Sequence, residues 1–327
     1  MDAGHKLTDK ELEKLEKRIK KTYREAYNDL TSTIQDYFRK FAERDEEQKE
    51  LLTSGEITNA QYKQWRLAQI GRGERFEAMR DKVARRMTDA NAVARAYVND
   101  VTPGIYSLNR NYAAYTIERV AGDVGFDMWD EQTVKRLIVQ RPGLMPHYPE
   151  KRALKRGLDL AYGKKQITAG VTSSILQGKN IRDMADDLQS RIVTMNRDSA
   201  IRTARTAVTS AQNAGRMDSY EEAEEMGIKI KKRWLATLDD RTRHEHAILD
   251  GQTVPIDEPF TVDGEEIMYP GDPSAPGYLV YNCRCTLVTE IEGVSASAAR
   301  RIARDDSGRN EPIRDMTFSE WEKAKRK

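Results

Sequence analysis

The two cysteines of this chain, Cys283 and Cys285, lie two residues apart in a segment that alternates like a β-strand. Side chains two apart on a strand point to the same face, so both thiols are expected to face one ligand or one core. A disulfide between them is disfavoured because it would strain so short a ring. The pair is therefore expected to bind a metal such as zinc, to form a buried cluster without metal, or to take part in redox chemistry.

His244 and His246 are the histidines that could complete a zinc site, since tetrahedral zinc needs two ligands besides two thiolates. On a helix, residues two apart point about 200° apart, so both imidazoles reach one ion only where the backbone is irregular. Asp240 and His244 are four apart and would share a helix face. The predicted ligands are the two cysteines, His244, and either His246 or Asp240. Such a C-x-C pair with a distant H-x-H is a less specific zinc signature than paired C-x-x-C motifs.

The acidic residues Asp239 and Asp240, next to Arg241, permit a second interpretation, a metal-dependent hydrolytic centre such as that of a nuclease. The alternative is a capped turn, in which Asp240 caps a helix from Thr242 to Leu249 and Arg241 pairs with a carboxylate. We favour the turn, because no second acidic and histidine-rich cluster supplies a base or a second metal. The sequence also contains no G-x-S-x-G, H-E-x-x-H or Gly-rich phosphate loop.

Composition indicates a polar protein, with 33% charged residues, 38% hydrophobic residues and a mean hydropathy of −0.77. No apolar run approaches the roughly 18 residues that span a bilayer, so no membrane partner is expected. The N-terminus has no apolar signal-peptide core, which predicts synthesis and assembly in a cytoplasm.

Charge is unevenly distributed along the chain. Residues 151–206 carry 12 Lys and Arg against 5 Asp and Glu, a net of +7, whereas residues 207–289 carry 8 against 15, a net of −7. The basic block is either a solvated surface or a face for a partner. Arg202 and Arg205 are three apart on a predicted helix and are candidate contacts to double-stranded DNA. With few stacking aromatics nearby, such contacts would be non-specific and sensitive to salt.

Helical periodicity dominates the first part of the chain. A long amphipathic helix is predicted to begin at a Thr8–Glu11 capping box and to end at Ser54-Gly55. A second is predicted from about Thr58 to Tyr97, with Pro103-Gly104 ending the pair. The apolar stripe of the first helix is expected to pack on a partner or on the second helix. Its members are Leu12, Leu15, Ile19, Tyr23, Leu30, Ile34, Phe38 and Phe41.

Downstream, short helices are expected up to residue 149, followed by a string of longer ones. Their predicted bounds are Pro149–Tyr162, Lys165–Gln177, Ile181–Ile192 with Asn180 as N-cap, and Asp198–Met226 with Gly227 as C-cap. Strand periodicity follows, with a strand ending near Trp234, a hairpin at Asp263-Gly264 and a closing strand from Arg284. The predicted fold class is α+β: a long N-terminal helical region, a helix-rich segment and a small C-terminal α+β domain with a short, mainly antiparallel sheet.

The order of motifs between about Gln166 and Glu292 resembles the phage Mu F-like minor head protein family. The matching pieces include Leu235-Ala-Thr-Leu-Asp-Asp-Arg-Thr-Arg, Leu249-Asp-Gly-Gln, Tyr269-Pro-Gly-Asp-Pro and Asn282-Cys-Arg-Cys-Thr. No single piece is specific, but their joint order is. The resemblance implies a structural role within these motifs for Trp234, Asp239, Arg241, Asp250, Gly251, Pro270, Gly271, Asp272 and Asn282.

This resemblance implies a head morphogenesis protein of a tailed double-stranded DNA phage or prophage. Such a protein would lie inside the virion head, associate with the portal and with capsid or scaffold components, and contact packaged DNA in some phages. Some relatives carry a toxin domain after this block. Because 35 residues follow Glu292, we expect no such domain and no enzymatic activity.

Four regions are predicted on this basis. Residues 1–104 form a long-helix docking region, 105–164 a helical connector, 165–292 the Mu F-like domain, and 293–327 a charged tail that is mobile apart from Phe318 and Trp321, with at most one short helix.

Overall fold

The computed structural model describes residues 2–71, 73–144, 157–292, 302–304, 310–312 and 318–325. Long helices dominate, and strands are confined to the C-terminal part, which confirms the predicted α+β class. The helices are α1 (Ala3–Thr53), α2 (Asn59–Gly71), α3 (Glu74–Ala121), α4 (Glu131–Gln140), α5 (Leu160–Leu176), α6 (Ile181–Glu225), α7 (His244–Leu249), α8 (Gly277–Val280) and α9 (Phe318–Lys325). The strands are β1 (Ile230–Leu235), β2 (Thr253–Pro255), β3 (Phe260–Val262), β4 (Glu265–Ile267), β5 (Thr286–Ile291), β6 (Ile302–Arg304) and β7 (Asn310–Pro312).

Two compact units make up the chain. The first unit combines Met1–Leu15, Val98–Pro149 and Arg202–Lys327, and the second combines Glu16–Tyr97 and Glu150–Ile201. The four predicted regions follow the order of the sequence, and their bounds stay a prediction. None of the helices in the described part of the chain is long and apolar enough to cross a membrane.

The second unit is a helical assembly with the predicted apolar stripe of α1 in its interior. Ile19, Tyr23, Ile34 and Phe38 are each at most 2% exposed. In this unit the stripe packs on α3: the hydroxyl of Tyr23 donates to the side-chain oxygen of Asn91, in α3, at 2.5 Å. Of the two expected packing surfaces, the second helix is therefore the one observed.

The first unit contains a three-stranded antiparallel sheet in the order β2-β1-β5, together with the β3-β4 hairpin. Trp234 of β1 pairs in register with Leu287 of β5, and both side chains are fully buried. The predicted Asp263-Gly264 turn joins β3 to β4 with positive φ at both residues, which is the conformation of a type I′ turn.

Several helix boundaries differ from the prediction. α1 begins at Ala3, where the carboxylate of Asp2 accepts the backbone N–H of His5 at 2.8 Å. Thr8 instead lies inside the helix and bonds back to the carbonyl of Gly4, so the predicted capping box is wrong.

Pro103 lies inside α3, so the helix continues to Ala121 and the predicted short helices from residue 105 onward are wrong up to that point. The two predicted helices between Ile181 and Met226 are one continuous helix, α6. Its ends are as predicted: Asn180 caps the backbone N–H of Asp183 at 2.8 Å, and Gly227 has a φ of 86°.

The predicted helix from Pro149 falls partly outside the described residues. Within them, Asp159 caps α5, which runs through the predicted break at residue 163.

The C-terminal part of the predicted mobile tail contains a packed helix. Trp321 of α9 is 2% exposed, and its indole N–H donates to the carboxylate of Glu118 at 2.6 Å. Phe318 contacts the rings of Tyr112 and Tyr115 at 5.3 and 5.5 Å. The short helix expected in this tail is therefore present, and its aromatic side chains belong to the apolar core of the first unit.

Candidate metal centre

His246, Cys283 and Cys285 form a buried cluster in the first unit. The Nδ1 atom of His246 lies 3.3 Å from the Sγ atom of Cys285 and 3.7 Å from that of Cys283. The three ligand atoms all lie within 4.8 Å of one another, and each residue is at most 3% exposed. Of the residues that the structure describes, these three are the group of His, Cys, Asp and Glu placed closely enough to share a metal ion.

The histidine is positioned by α7 and by the strand that precedes it. The Trp234 ring packs edge-on against the imidazole, with 5.9 Å between ring centroids. Asp250, directly after α7, accepts the backbone N–H of Ala236 at 2.7 Å. Gly251 then adopts a φ of 79° and donates to the Trp234 carbonyl at 2.9 Å. Only a residue tolerant of positive φ fits this tight turn, which returns the chain to β1.

The cysteines follow a sharp change in chain direction. The short helix α8 ends at Val280, and Asn282 has a φ of 58°, a left-handed conformation that asparagine tolerates better than most residues. The carbonyl of Leu279 in α8 lies 2.9 Å from the Nε2 atom of His246. A carbonyl only accepts, so Nε2 donates to it, and Nδ1 is the ring nitrogen that faces the two sulfur atoms.

A polar face of α6 holds the backbone around the cysteines. The hydroxyl of Thr209 donates to the carbonyl of Cys283 at 2.8 Å, and the hydroxyl of Thr206 accepts the N–H of Asn282 at 3.0 Å. The amide of Asn213 donates to the carbonyl of Cys285 at 3.3 Å. These α6 residues recur at three and four, so they lie on one face of the helix.

The two thiols differ in their acidity. Hydrogen bonding from Cys283 and contact with His246 lower the pKa of Cys285 to about 5. Burial raises the pKa of Cys283 well above that of an ordinary thiol. The opposite directions of the two shifts follow from the close contact of the two thiols in a buried environment.

The other two predicted ligands lie outside this cluster. α7 begins at His244, which is exposed, whereas His246 points into the core. Asp240 is also exposed and precedes the helix in a turn. The predicted placement of Asp240 and His244 on one helix face is wrong, because the helix starts two residues later than expected and its N-cap position is occupied by Arg243.

Asp239, and not Asp240, organises the turn before α7. Its carboxylate accepts two hydrogen bonds from Arg284, both at 2.6 Å, and one from the backbone N–H of Arg241 at 3.0 Å. The bond with Arg284 keeps the pKa of Asp239 far below its usual range. Arg241 also pairs with this carboxylate, at 3.5 Å. The predicted pairing of Arg241 with a carboxylate is thus observed, at Asp239, but the predicted cap is wrong, because α7 has no side-chain cap at its N-cap residue Arg243.

The Pro270-Gly271-Asp272 segment packs directly on α6. The Pro270 carbonyl accepts the amide of Asn213 at 3.0 Å. A Cβ atom on Gly271 would lie 2.9 Å from the backbone nitrogen of Ser210, and its φ is 86°. The buried carboxylate of Asp272 accepts the N–H groups of Met268 and Ser274 at 3.1 and 2.8 Å. These are turn contacts, as predicted from the residue types.

Arg202 and Arg205, the predicted contacts to DNA, lie at the start of the part of α6 that belongs to the first unit. Arg202 is exposed. Arg205 is half-buried and lies 3.5 Å from the side-chain oxygen of Asn282, so it also contacts the segment before the cysteines.

A buried polar network at Arg216 was not predicted from the sequence. Its guanidinium bonds the carboxylate of Asp2 at 2.6 and 2.9 Å and the carbonyl of Leu287 at 2.6 Å. It also bonds the side chain of Asn109 at 3.2 Å. The spacing from Thr209 to Asn213 to Arg216 was the available signal, because three polar residues at helical intervals within a small-residue run indicate a polar contact face.

A protein-family model matches the part of the chain that contains this cluster. Residues 165–288 match the family model described as Phage Mu protein F like protein, which includes α6, the turn at Asp239 and the three clustered residues. The chain therefore carries the Mu F-like segment that its motifs predicted, and the predicted resemblance is confirmed.

Three proteins are similar in sequence to part or nearly all of this chain. An NAD(+)–arginine ADP-ribosyltransferase, EFV, of Enterococcus faecalis is 33% identical over 157 residues, which cover 48% of this chain and 31% of that protein. The minor head protein GP7 of Bacillus phage SPP1 is 27% identical over 98% of this chain and 96% of its own length. The protein YqbB of Bacillus subtilis, whose function is uncharacterised, is 31% identical over 41% of this chain and 46% of its own. No solved structure matches the chain significantly.

Proposed function

We propose that this protein is a minor head protein, a head morphogenesis component of a tailed phage or prophage. The observation that carries the proposal is the full-length similarity to a phage minor head protein, which extends over 98% of this chain and 96% of the relative. The Mu F-like segment adds support from the family model. Similarity to the ADP-ribosyltransferase covers 31% of that protein, so its activity is not carried over to this chain.

The proposed location is inside the virion head, after assembly in the bacterial cytoplasm. The test is mass spectrometry of purified virions and of DNA-free procapsids from cells that produce the phage. We expect peptides of this chain in both particles at a low ratio to the major capsid protein. Absence from both particles, with the portal protein detected as a positive control, would refute the proposal.

We propose the portal, with capsid and scaffold components, as its partners in the head. The helices of the second unit have wide charged faces exposed to solvent, because the apolar stripe of α1 is buried within the unit. These charged faces are the surfaces available to a partner protein. Co-purification of the tagged chain with co-expressed portal protein tests this. Recovery of the portal at the level seen with an unrelated tagged helical protein would contradict it.

We also propose weak, sequence-independent contact with packaged DNA. The support is the net charge of +7 over residues 151–206 and the exposed guanidinium of Arg202. Each phosphate neutralised releases counterions, so affinity should fall steeply with salt, with a slope of about −0.9 per contact in logarithmic units. Arg202→Gln should lower that slope by about one. The matched control is Arg241→Gln, an exposed arginine in the acidic part of the chain. A slope unchanged in Arg202→Gln would remove Arg202 from the proposed contacts, and no binding at low salt would remove DNA from the proposed partners.

The proposed role requires no catalysis by this chain. A metal-dependent nuclease is the alternative, with Asp240 and His244 as its candidate residues. Both are exposed and lie outside the buried cluster. We expect no nicking of supercoiled plasmid by the purified protein in the presence of Mg²⁺, Mn²⁺ or Zn²⁺. Nicking that disappears when both residues are replaced by alanine would establish the nuclease instead.

A further inference from the structure

We propose that His246, Cys283 and Cys285 bind one zinc ion, with the imidazole Nδ1 atom and both sulfur atoms as ligands. This site is smaller than the four-residue set expected from sequence and differs from it in using His246 without His244 or Asp240. It is independent of the head assembly role and concerns how the C-terminal part of the chain is held together.

The distances between the ligand atoms agree with those of a tetrahedral zinc site. With Zn–S bonds of about 2.3 Å and Zn–N bonds of about 2.0 Å, tetrahedral angles place the nitrogen about 3.5 Å from each sulfur. The observed distances from Nδ1 are 3.3 and 3.7 Å. The two sulfur atoms lie within 4.8 Å of each other, and about 3.8 Å separates two sulfurs in a tetrahedral zinc site, so the three atoms are close enough to share one ion.

The histidine is oriented as a metal ligand would be. Its Nε2–H bond to the Leu279 carbonyl fixes both the tautomer and the ring plane. Metal-bound histidines characteristically donate their remaining N–H to a carbonyl or carboxylate, which also makes the ligating nitrogen more basic. The buried ring cannot swing toward solvent, because Trp234 packs against it.

The sulfur atoms are also held in place. The backbone N–H of Cys285 points at the Sγ atom of Cys283, 3.3 Å away, a contact that stabilises a thiolate. The carbonyls of both cysteines are bonded by Thr209 and Asn213 from α6. These contacts fix the cysteine backbone independently of any ion, so little ordering is required when the ion binds.

The chemistry of the donor set selects zinc over harder cations. Two thiolates and an imidazole suit zinc, whereas Mg²⁺ and Ca²⁺ require oxygen ligands. Two thiolates also neutralise a divalent ion, so the site carries no net charge in a buried environment where a charge would be costly. No fourth His, Cys, Asp or Glu joins the group within the described ranges, and three protein ligands leave one position for water.

Such an ion would connect α7 to the start of β5. His246 is 37 residues from Cys283 and 39 from Cys285, with short strands and turns between them. Closing a loop of this length by a metal bond reduces the conformational entropy of the unfolded chain. Removal of zinc should therefore lower the melting temperature of the first unit.

The test is metal analysis of the full-length chain, produced in zinc-supplemented medium and purified through a tag without histidine. We expect about one zinc per chain in the wild-type protein. His246→Ala and the Cys283→Ser/Cys285→Ser double variant should lose it. The matched control, His244→Ala, removes an exposed imidazole two residues away and should retain the full content.

Cobalt substitution keeps the test decisive if a variant fails to fold. Wild-type protein with Co²⁺ in place of zinc should show sulfur-to-cobalt charge-transfer absorption and the visible bands of tetrahedral cobalt. Its melting temperature should fall on chelation and recover on adding Zn²⁺. Folded wild-type protein that contains no zinc, and whose melting temperature does not respond to added Zn²⁺, would overturn the proposal in favour of a thiol–imidazole cluster without metal.

Discussion

Asn213 shows how one side chain of α6 serves several backbone groups. Its amide donates to the carbonyls of Pro270 and Cys285, and its oxygen accepts the N–H of Leu287 at 2.9 Å. The residue is fully buried, so water cannot replace these bonds. Asn213→Ala should lower the free energy of unfolding by roughly 2–4 kcal/mol, because it leaves buried groups unsatisfied. Chemical denaturation measures this.

Glu224→Ala is the matched control for that substitution, since Glu224 is exposed on the same helix. Its effect should stay within about 0.5 kcal/mol. Equal effects of the two variants would mean that the Asn213 network contributes nothing beyond helix propensity.

Lys232 is a residue whose burial predicts a pH dependence. Its side chain is fully buried, and its ammonium donates to the carbonyl of Ile256 at 2.8 Å. Burial lowers the pKa of Lys232 to about 8 from the ordinary 10.5. Below pH 8 the folded state carries the full cost of the buried charge. Above it the folded state releases the proton while the unfolded state keeps it, so stability rises with pH.

The test compares wild type with Lys232→Met, which cannot titrate. The wild type should gain about 1–2 kcal/mol relative to the variant between about pH 7.5 and 9.5. Groups that titrate in both proteins, such as the tyrosines, cancel in this difference. Lys231→Met, at the exposed neighbouring position, should show no such slope. A pH-independent difference for Lys232→Met would show that the lysine is not charged at a cost in the folded state.

At the scale of residues, the two cysteines of the cluster could be predicted from the sequence, whereas its histidine could be predicted only in part. The same-face placement of Cys283 and Cys285 followed from spacing alone. The choice of His246 over His244 depended on where α7 begins and on the cysteines that His246 meets, which are 37 and 39 residues away in sequence. Helix boundaries set by long-range contacts cannot be derived from local pattern.

At the scale of elements, the effect of Pro103 as a helix breaker was overestimated. Pro103 removes one backbone hydrogen bond, but it is buried between the buried residues Thr102 and Ile105 in α3. Packing on both sides of the proline outweighs the local cost of about 3 kcal/mol. By contrast, the strands and the Asp263-Gly264 hairpin were predicted correctly, because turn residues and period-two alternation act locally.

Two glycines in helices provide a test of packing with opposite expected signs. A Cβ atom at Gly215 of α6 would lie 2.4 Å from the carbonyl oxygen of Tyr106 in α3, whereas at Gly170 of α5 it would meet nothing within 4 Å. Gly215→Ala should destabilise the protein by about 1–3 kcal/mol through overpacking. Gly170→Ala should stabilise it by about 0.5–1 kcal/mol through helix propensity. Thermal unfolding of both variants checks the pair; a stabilising Gly215→Ala would mean that these helices are not in close contact.

The packing of α9 on α3 is a third element-scale feature. Trp321→Ala would remove a buried indole and one hydrogen-bond donor from Glu118, whose side chain is 1% exposed. The expected loss is about 3–5 kcal/mol. Lys323→Ala, exposed on the same helix, is the control and should be near neutral. If Trp321→Ala also left stability unchanged, α9 would not be part of the folded core.

At the scale of the molecule, the Mu F-like segment and the compact units do not coincide. The family match begins at residue 165, within the second unit, and ends at 288, within the first. The core of the first unit also contains residues outside the match, including Tyr112, Ile117, Phe126 and Trp321. Motif order therefore identified the family from sequence, whereas the extent of the folded unit depended on apolar contacts from distant helices.

This mismatch predicts that the matched segment does not fold alone. A fragment of residues 165–288 lacks the α3 and α9 side chains that cover the sheet and its adjoining core, and it also lacks Asp2, which pairs with the buried Arg216. Exposing that apolar surface costs about 25 cal/mol per Å², and an unpaired buried arginine adds a further penalty. The fragment should bind a hydrophobic dye and unfold without a cooperative transition, whereas the full chain should unfold cooperatively. A cooperative transition in the fragment, at the melting temperature of the full chain, would show that residues 165–288 are a domain in their own right.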